Sequence, residues 1–209
     1  MSVLSRLACV SLSTLLYSGI AYASTGLAEY EKPWELCGLC HSLDGNSPMA
    51  KFPKLAGQPQ AYIEKQLDDF LQGRRTNDGG QMSAIVTEIK QSDFKAIAGW
   101  FSSQPHPLPV FEAEITDSTN AASSVVQGKV VFEQSGCAQC HSAANSTDAE
   151  SAIPLLKAQH AQYLSKQLAD FRAGVRTHVP NSVENDPINS FAHTDLDNLV
   201  SYLAGSRRE

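Results

Sequence analysis

Methionine is scarce in this chain: among 209 residues it stands only at positions 1, 49 and 82. A thioether donor is therefore excluded from everything after Met82. Basic charge is short as well. Sixteen Lys and Arg face 22 Asp and Glu, for a net charge of −6. No basic patch of the kind that grips nucleic acid is present. Partners are expected to bring positive rims or to make mostly apolar contact. Convincing strand patterns are missing too, which points to an all-α fold. Long apolar runs are limited to Leu7–Ile20, shorter than the roughly 20 residues that span a bilayer.

That run has the marks of an export signal. Arg6 precedes it as a lone charge, and Ala21-Tyr22-Ala23 follows as a small-x-small cleavage site. Residues 1–23 are expected to be removed on export, leaving no membrane span in the mature form. Cys9 goes with them, so four of the five cysteines remain.

An even cysteine count in an exported protein ordinarily suggests disulfides. The spacing argues for something else. Cys37-Gly38-Leu39-Cys40-His41 and Cys137-Ala138-Gln139-Cys140-His141 are both C-x-x-C-H, the pattern for covalent haem attachment. The paired thiols, Cys37 with Cys40 and Cys137 with Cys140, add across two vinyl groups. Each adjacent histidine is held beneath the iron. A redox dithiol or a zinc site is the rival reading, but neither predicts the repeat that surrounds the motifs.

The motifs lie 100 residues apart, and the match continues downstream at an offset of 101. Pro53, Gln58, Tyr62, Gln66, Phe70, Gly73 and Arg75 correspond to Pro154, Gln159, Tyr163, Gln167, Phe171, Gly174 and Arg176. So long a period indicates one duplicated domain rather than a solenoid. The halves are expected at 24–103 and 125–209. Between them, 104–124 reads as a stiff Pro/Ser-rich linker containing Pro105, Pro107 and Pro109. In each half a helix is expected after the proline, from about Pro59 to Gln72 and from His160 to Arg172. The last helix is clearest: Phe94, Ile97, Ala98 and Phe101, like Leu196, Leu199, Val200 and Leu203, keep the i, i+3, i+4, i+7 spacing. Ser92 and Thr194 are expected as their N-caps.

With these motifs, and with Tyr-x-x-x-Gln-Leu-x-x-Phe-x-x-Gly-x-Arg in each half, the sequence resembles the class I cytochromes c, and specifically the two-domain cytochrome c4 family. The resemblance implies two tandem all-α domains, each wrapped around one covalent haem c. It implies one-electron transfer in the periplasm rather than enzymatic catalysis. The partners would be a dehydrogenase, a cytochrome bc1-type donor or a terminal oxidase. It also implies that His41 and His141 are proximal ligands whose free N–H groups are accepted by the Pro53 and Pro154 carbonyls. Gly128 and Phe132 would meet Tyr202 where the first and last helices cross, and Gly26 and Trp34 would meet Trp100. Arg75 and Arg176 are left between haem propionates and helix capping. Met82 takes the family's axial methionine position, whereas Met49, eight residues past His41, falls on the proximal side.

The second half departs from that pattern. The residue aligned with Met82 is Glu184, in a longer and more polar segment, 178–187. Four sixth ligands stay open for the second iron: His178, another side chain such as Asn181, Glu184 or Asn185, water, or none. His178 is the strongest donor but lies six residues ahead of the methionine position. An open iron would bind small ligands or act on peroxide, which is the alternative to a pure carrier. His106, His160 and His193 read as surface residues.

Overall fold

The apolar spacing of each half becomes a small set of helices in the computed structural model, which describes residues 30–109, 118–142, 152–178 and 187–208. The first half contains α1 (Glu35–His41), α2 (Gln60–Leu71), α3 (Gln81–Ile85) and α4 (Phe94–Ser102). The second contains α5 (Ser118–Gln134), α6 (Cys137–His141), α7 (Ala161–Arg172) and α8 (His193–Gly205). No strand occurs among the described residues. The expected export signal, Gly26, and the loop residues Asn181, Glu184 and Asn185 lie outside them.

The terminal helices bury the stripe that the spacing marks. Phe94, Ile97, Ala98 and Phe101 are all at most 5% exposed, and they pack on Ile63, Leu67 and Phe70 of α2. In the second half Leu199, Val200 and Leu203 of α8 pack on Phe132 of α5 and Leu164 of α7. Each such side chain stabilises the fold by about 1.5–3 kcal/mol relative to exposure. The helix starts differ from expectation. α4 is preceded by a 3-10 turn at Gln91–Asp93, so Asp93, not Ser92, is its N-cap. α8 begins one residue before Thr194, at His193. Its first turn is closed by the Asp195 carboxylate, which accepts the Ala192 N–H at 3.2 Å. α5 starts at Ser118, so the final seven positions of the expected linker are already helical. Ala121 and Ala122 are strong helix formers, which suits this early start.

α5 and α8 cross in close contact. A Cβ added at Gly128 would sit 1.9 Å from the Asn198 carbonyl oxygen and 2.7 Å from Tyr202 Cβ. Only glycine permits that approach. Phe132 and Tyr202 meet beside it, with centroids 5.6 Å apart. In the first half the corresponding aromatic contact is Trp34 stacked on Trp100 at 4.6 Å. The Trp100 indole N–H also donates to the Leu43 carbonyl at 2.8 Å, tying α4 to the loop after α1.

The halves pack directly on each other, and their contact is reciprocal. Gln58 donates to the Leu155 carbonyl at 2.7 Å and accepts the Leu155 N–H at 2.9 Å. Gln159, its counterpart in the repeat, donates to the Lys54 carbonyl at 3.0 Å and accepts the Lys54 N–H at 2.8 Å. Arg75 donates to Tyr163 and Gln167, while Arg176 donates to Tyr62 and Gln66. This is the self-complementary pattern of a two-fold axis, written within one chain. Other contacts across the interface include those of His160 and Arg208. His160, expected at the surface, is buried and its Nε2 lies 2.8 Å from the Ser47 carbonyl. Its place directly after Gln159 carries it into the contact. Arg208 donates to the Lys157 carbonyl at 2.7 Å and to Ala56 of the first half at 2.6 Å. Burial lowers its guanidinium to about 10.

Replacing Gln58 or Gln159 by alanine strands a buried N–H and C=O in the opposite half. Each stranded group costs about 1–3 kcal/mol. Either variant should therefore lower the urea midpoint followed by far-UV circular dichroism. Unchanged midpoints in both would show that the halves unfold independently of this contact.

Candidate functional site

Both C-x-x-C-H motifs are short helices, α1 and α6, which bring each cysteine pair onto one face a single turn apart. None of the four cysteines forms a disulfide. Cys37 is buried in the first core, and burial pushes its thiol up to about 11. A group that stays neutral is what this position accepts, and a thioether is neutral. Cys140 is exposed, while Cys40 and Cys137 are half-buried.

Each motif ends on its histidine, and each histidine is fixed in the same way. His41 Nδ1 lies 2.9 Å from the Pro53 carbonyl, and His141 Nδ1 lies 2.9 Å from the Pro154 carbonyl. A carbonyl only accepts, so Nδ1 carries the hydrogen and Nε2 keeps its lone pair. That is the tautomer an imidazole needs to ligate a metal, with the outer hydrogen bond orienting the ring. Burial lowers both histidines below their ordinary pKa, against the raising effect of the proline carbonyls. Neutral donors result. The residue after each proline, Lys54 or Leu155, is the one grasped by the opposite half's glutamine. The peptide that orients each histidine is thus braced across the interface. Sequence reasoning left the glutamines without a role, although their recurrence directly downstream of each proline was visible.

Met82 lies on α3, half-buried against the core that contains Cys37, Leu67 and Phe70. Its loop is set by Asp78. Burial raises the Asp78 carboxyl, but N–H donation from Ser83, Gly80 and Met82 outweighs it and leaves the group below its usual range. The Ser83 bond is 2.8 Å. The second half has Val179 at the matching position and lacks this carboxylate. Met49 sits in the loop after α1 and is 41% exposed. Arg75 and Arg176 lie over Phe70 and Phe171 at 4.5 and 4.8 Å and reach across the interface rather than to helix ends. His193 is exposed at the start of α8, and His106 is exposed beside Gly57.

His178 is not a solvated loop residue. Its ring centroid lies 6.0 Å from that of His141, with the planes 13° apart, and 5.1 Å from that of Phe171.

Two paired thiols, a buried neutral imidazole with its outer nitrogen engaged, and a thioether in the first half form a donor set suited to haem c rather than zinc. Among the described residues no other cluster of histidine, cysteine or carboxylate is arranged to hold a metal ion.

Comparison with known proteins agrees with the donor set. The cytochrome c family model matches residues 125–206. Cytochrome c4 from Pseudomonas aeruginosa is 34% identical over 198 residues, covering 93% of this chain and 95% of that protein. A thiosulfate dehydrogenase electron acceptor from Stutzerimonas stutzeri is 29% identical over 171 residues, covering 80% and 77%. Among solved structures, reduced recombinant cytochrome c4 from Pseudomonas stutzeri is 30% identical. It superposes with a TM-score of 0.64, covering 81% of this chain and 93% of that one. With its duplicated helical domains and paired attachment motifs, the chain belongs to the cytochrome c4 family of di-haem c-type cytochromes.

Proposed function

We propose that this di-haem cytochrome is a periplasmic one-electron carrier between a dehydrogenase or bc1-type donor and an oxidase. The first haem is attached at Cys37 and Cys40 and ligated by His41 and Met82. The second is attached at Cys137 and Cys140 with His141 as proximal ligand. The carrying observation is the same histidine–proline bond, 2.9 Å in each half, next to each attachment motif. Two equivalent sites in domains braced against each other suit electron transfer between haems. The haem supplies one-electron Fe(III)/Fe(II) cycling. The protein orients the ligands, and its apolar cores keep water from them. Leu39, Leu43 and Met49, exposed in and after the first motif, offer apolar contact to a partner. The likeness to thiosulfate dehydrogenase electron acceptors favours a dehydrogenase as donor.

Intact mass of protein from the periplasmic fraction tests this. The expected mass is the chain without residues 1–23 plus two haems. A mass with one haem, or none, is incompatible with the proposal.

A further inference from the structure

Resting on the reading that the second motif carries a haem, we infer that His178 is the sixth ligand of that iron. The second site is then a closed bis-histidine haem beside a His–Met haem in the same chain.

The separation of the two rings matches that of a pair of imidazoles sharing one metal. A metal–imidazole nitrogen bond is about 2.0–2.1 Å. A ring nitrogen lies roughly 1.1 Å from its ring centre, so two imidazoles trans on one metal have centroids about 6 Å apart. His141 and His178 are 6.0 Å apart, with nearly parallel planes. His141 has its Nδ1 engaged by Pro154, so Nε2 is the nitrogen left for the iron. Phe171 of α7 buttresses His178 with a tilted ring contact, centroids 5.1 Å apart.

The repeat supplies an independent argument. His178 corresponds to Asn77. Asn77 belongs to the interface: it accepts from Arg75 Nε at 2.9 Å and donates to Gln167 of the other half at 2.9 Å. Its main-chain carbonyl also accepts from Lys166 at 2.6 Å. The flanking arginines keep their reciprocal roles, Arg75 on Tyr163 and Arg176 on Tyr62. At this one matched position the second half instead places an imidazole beside the proximal histidine. The same half has no methionine. A strong nitrogen donor therefore stands in the half that has no thioether, six residues ahead of the aligned methionine position.

The test uses the full-length, haem-loaded protein, wild type and His178→Ala. Near-infrared magnetic circular dichroism and EPR of the oxidised wild type should show two low-spin haems, one nitrogen–sulfur and one bis-nitrogen. In His178→Ala one haem should become high-spin. Carbon monoxide should bind that haem more tightly by about tenfold or more, since a ligand closing the site at least ~90% of the time masks affinity in that proportion. Added imidazole should restore the low-spin signal. A wild type whose second haem is high-spin, or whose bis-nitrogen signal survives in His178→Ala, overturns the inference. If the variant fails to accumulate, the wild-type spectrum still decides, because absence of a bis-nitrogen signal refutes bis-histidine ligation. Intact mass separates the two levels. Fewer than two haems in the wild type overturns the underlying reading and this inference with it, whereas two haems without a bis-nitrogen signal overturns this inference alone.

Discussion

A redox titration of the holo-protein is expected to show two separated one-electron waves, with the second haem at the lower potential. Thioether sulfur is soft and favours Fe(II), whereas nitrogen and oxygen donors favour Fe(III). Met82 is the thioether proposed for the first iron, and the sequence offers none to the second half. Axial ligation tunes haem potentials over a span of about 0.8 V, so a sulfur-for-nitrogen exchange shifts a potential by on the order of a tenth of a volt or more. That is enough to fix the direction of internal transfer. The first haem would hold a single electron at rest, and the second would be the entry point from a low-potential donor. Met82→Ala should abolish the weak sulfur–iron charge-transfer band, lower the first potential and bring the waves together. Two superimposed waves at a potential typical of His–Met haems would refute the asymmetry.

Gly128→Ala should destabilise the protein strongly. The added Cβ would stand 1.9 Å from a backbone oxygen of α8 and 2.7 Å from Tyr202 Cβ. No rotamer relieves a clash with main chain, so α5 and α8 must separate and the Phe132–Tyr202 contact with them. Ordinary overpacking costs about 1–3 kcal/mol, and a helix pair forced apart costs more, above roughly 3 kcal/mol. Two other glycines calibrate the result. Gly73 has φ +67° with open space around it, so alanine there costs only the left-handed conformation, about 1–2 kcal/mol. Gly99, within α4, would meet nothing nearer than Gln60 Oε1 at 3.7 Å. Alanine there should stabilise by about 0.5–1 kcal/mol. Chemical denaturation of the three variants checks the order. A Gly128→Ala protein as stable as wild type would mean that the two helices do not cross this closely in solution.

The attachment motifs were legible because covalent chemistry fixes residue types at fixed spacing, and the proline partners came from the family resemblance. The terminal helices were legible because a 3.6-residue period has one reading once four apolar positions agree. The Gly128 crossing came from the family resemblance, and the structure places it as expected. What stayed hidden was non-local. Gln58 and Gln159 look like ordinary surface amides until the opposite backbone is beside them. His160 looked exposed for the same reason, being polar and outside any motif, yet Ser47 accounts for its burial. The helix starts were missed by one or two residues, because Asp195 closes its turn from inside the helix rather than from the cap position. For Arg75 and Arg176, sequence offered propionates or helix ends, and neither reading anticipated tyrosines on the other half.

The reciprocal interface also bears on how the chain came to have two unlike halves. A surface in which a contact between a residue of one half and a residue of the other recurs between their repeat-mates, as Gln58–Leu155 recurs in Gln159–Lys54, is what two copies of a single-domain ancestor present to each other as a homodimer. Joining them end to end raises the effective concentration of one for the other to the millimolar range. Association is then nearly assured, whatever the expression level. An identical pair must also change both sites together, because one gene encodes both. Once fused, each half mutates alone. Asn77 stands in the contact while its counterpart His178 stands beside His141, and the half without methionine adjoins one that has Met82. With the potentials separated as expected, fusion would give the molecule a donor side and an acceptor side, a polarity that a homodimer lacks.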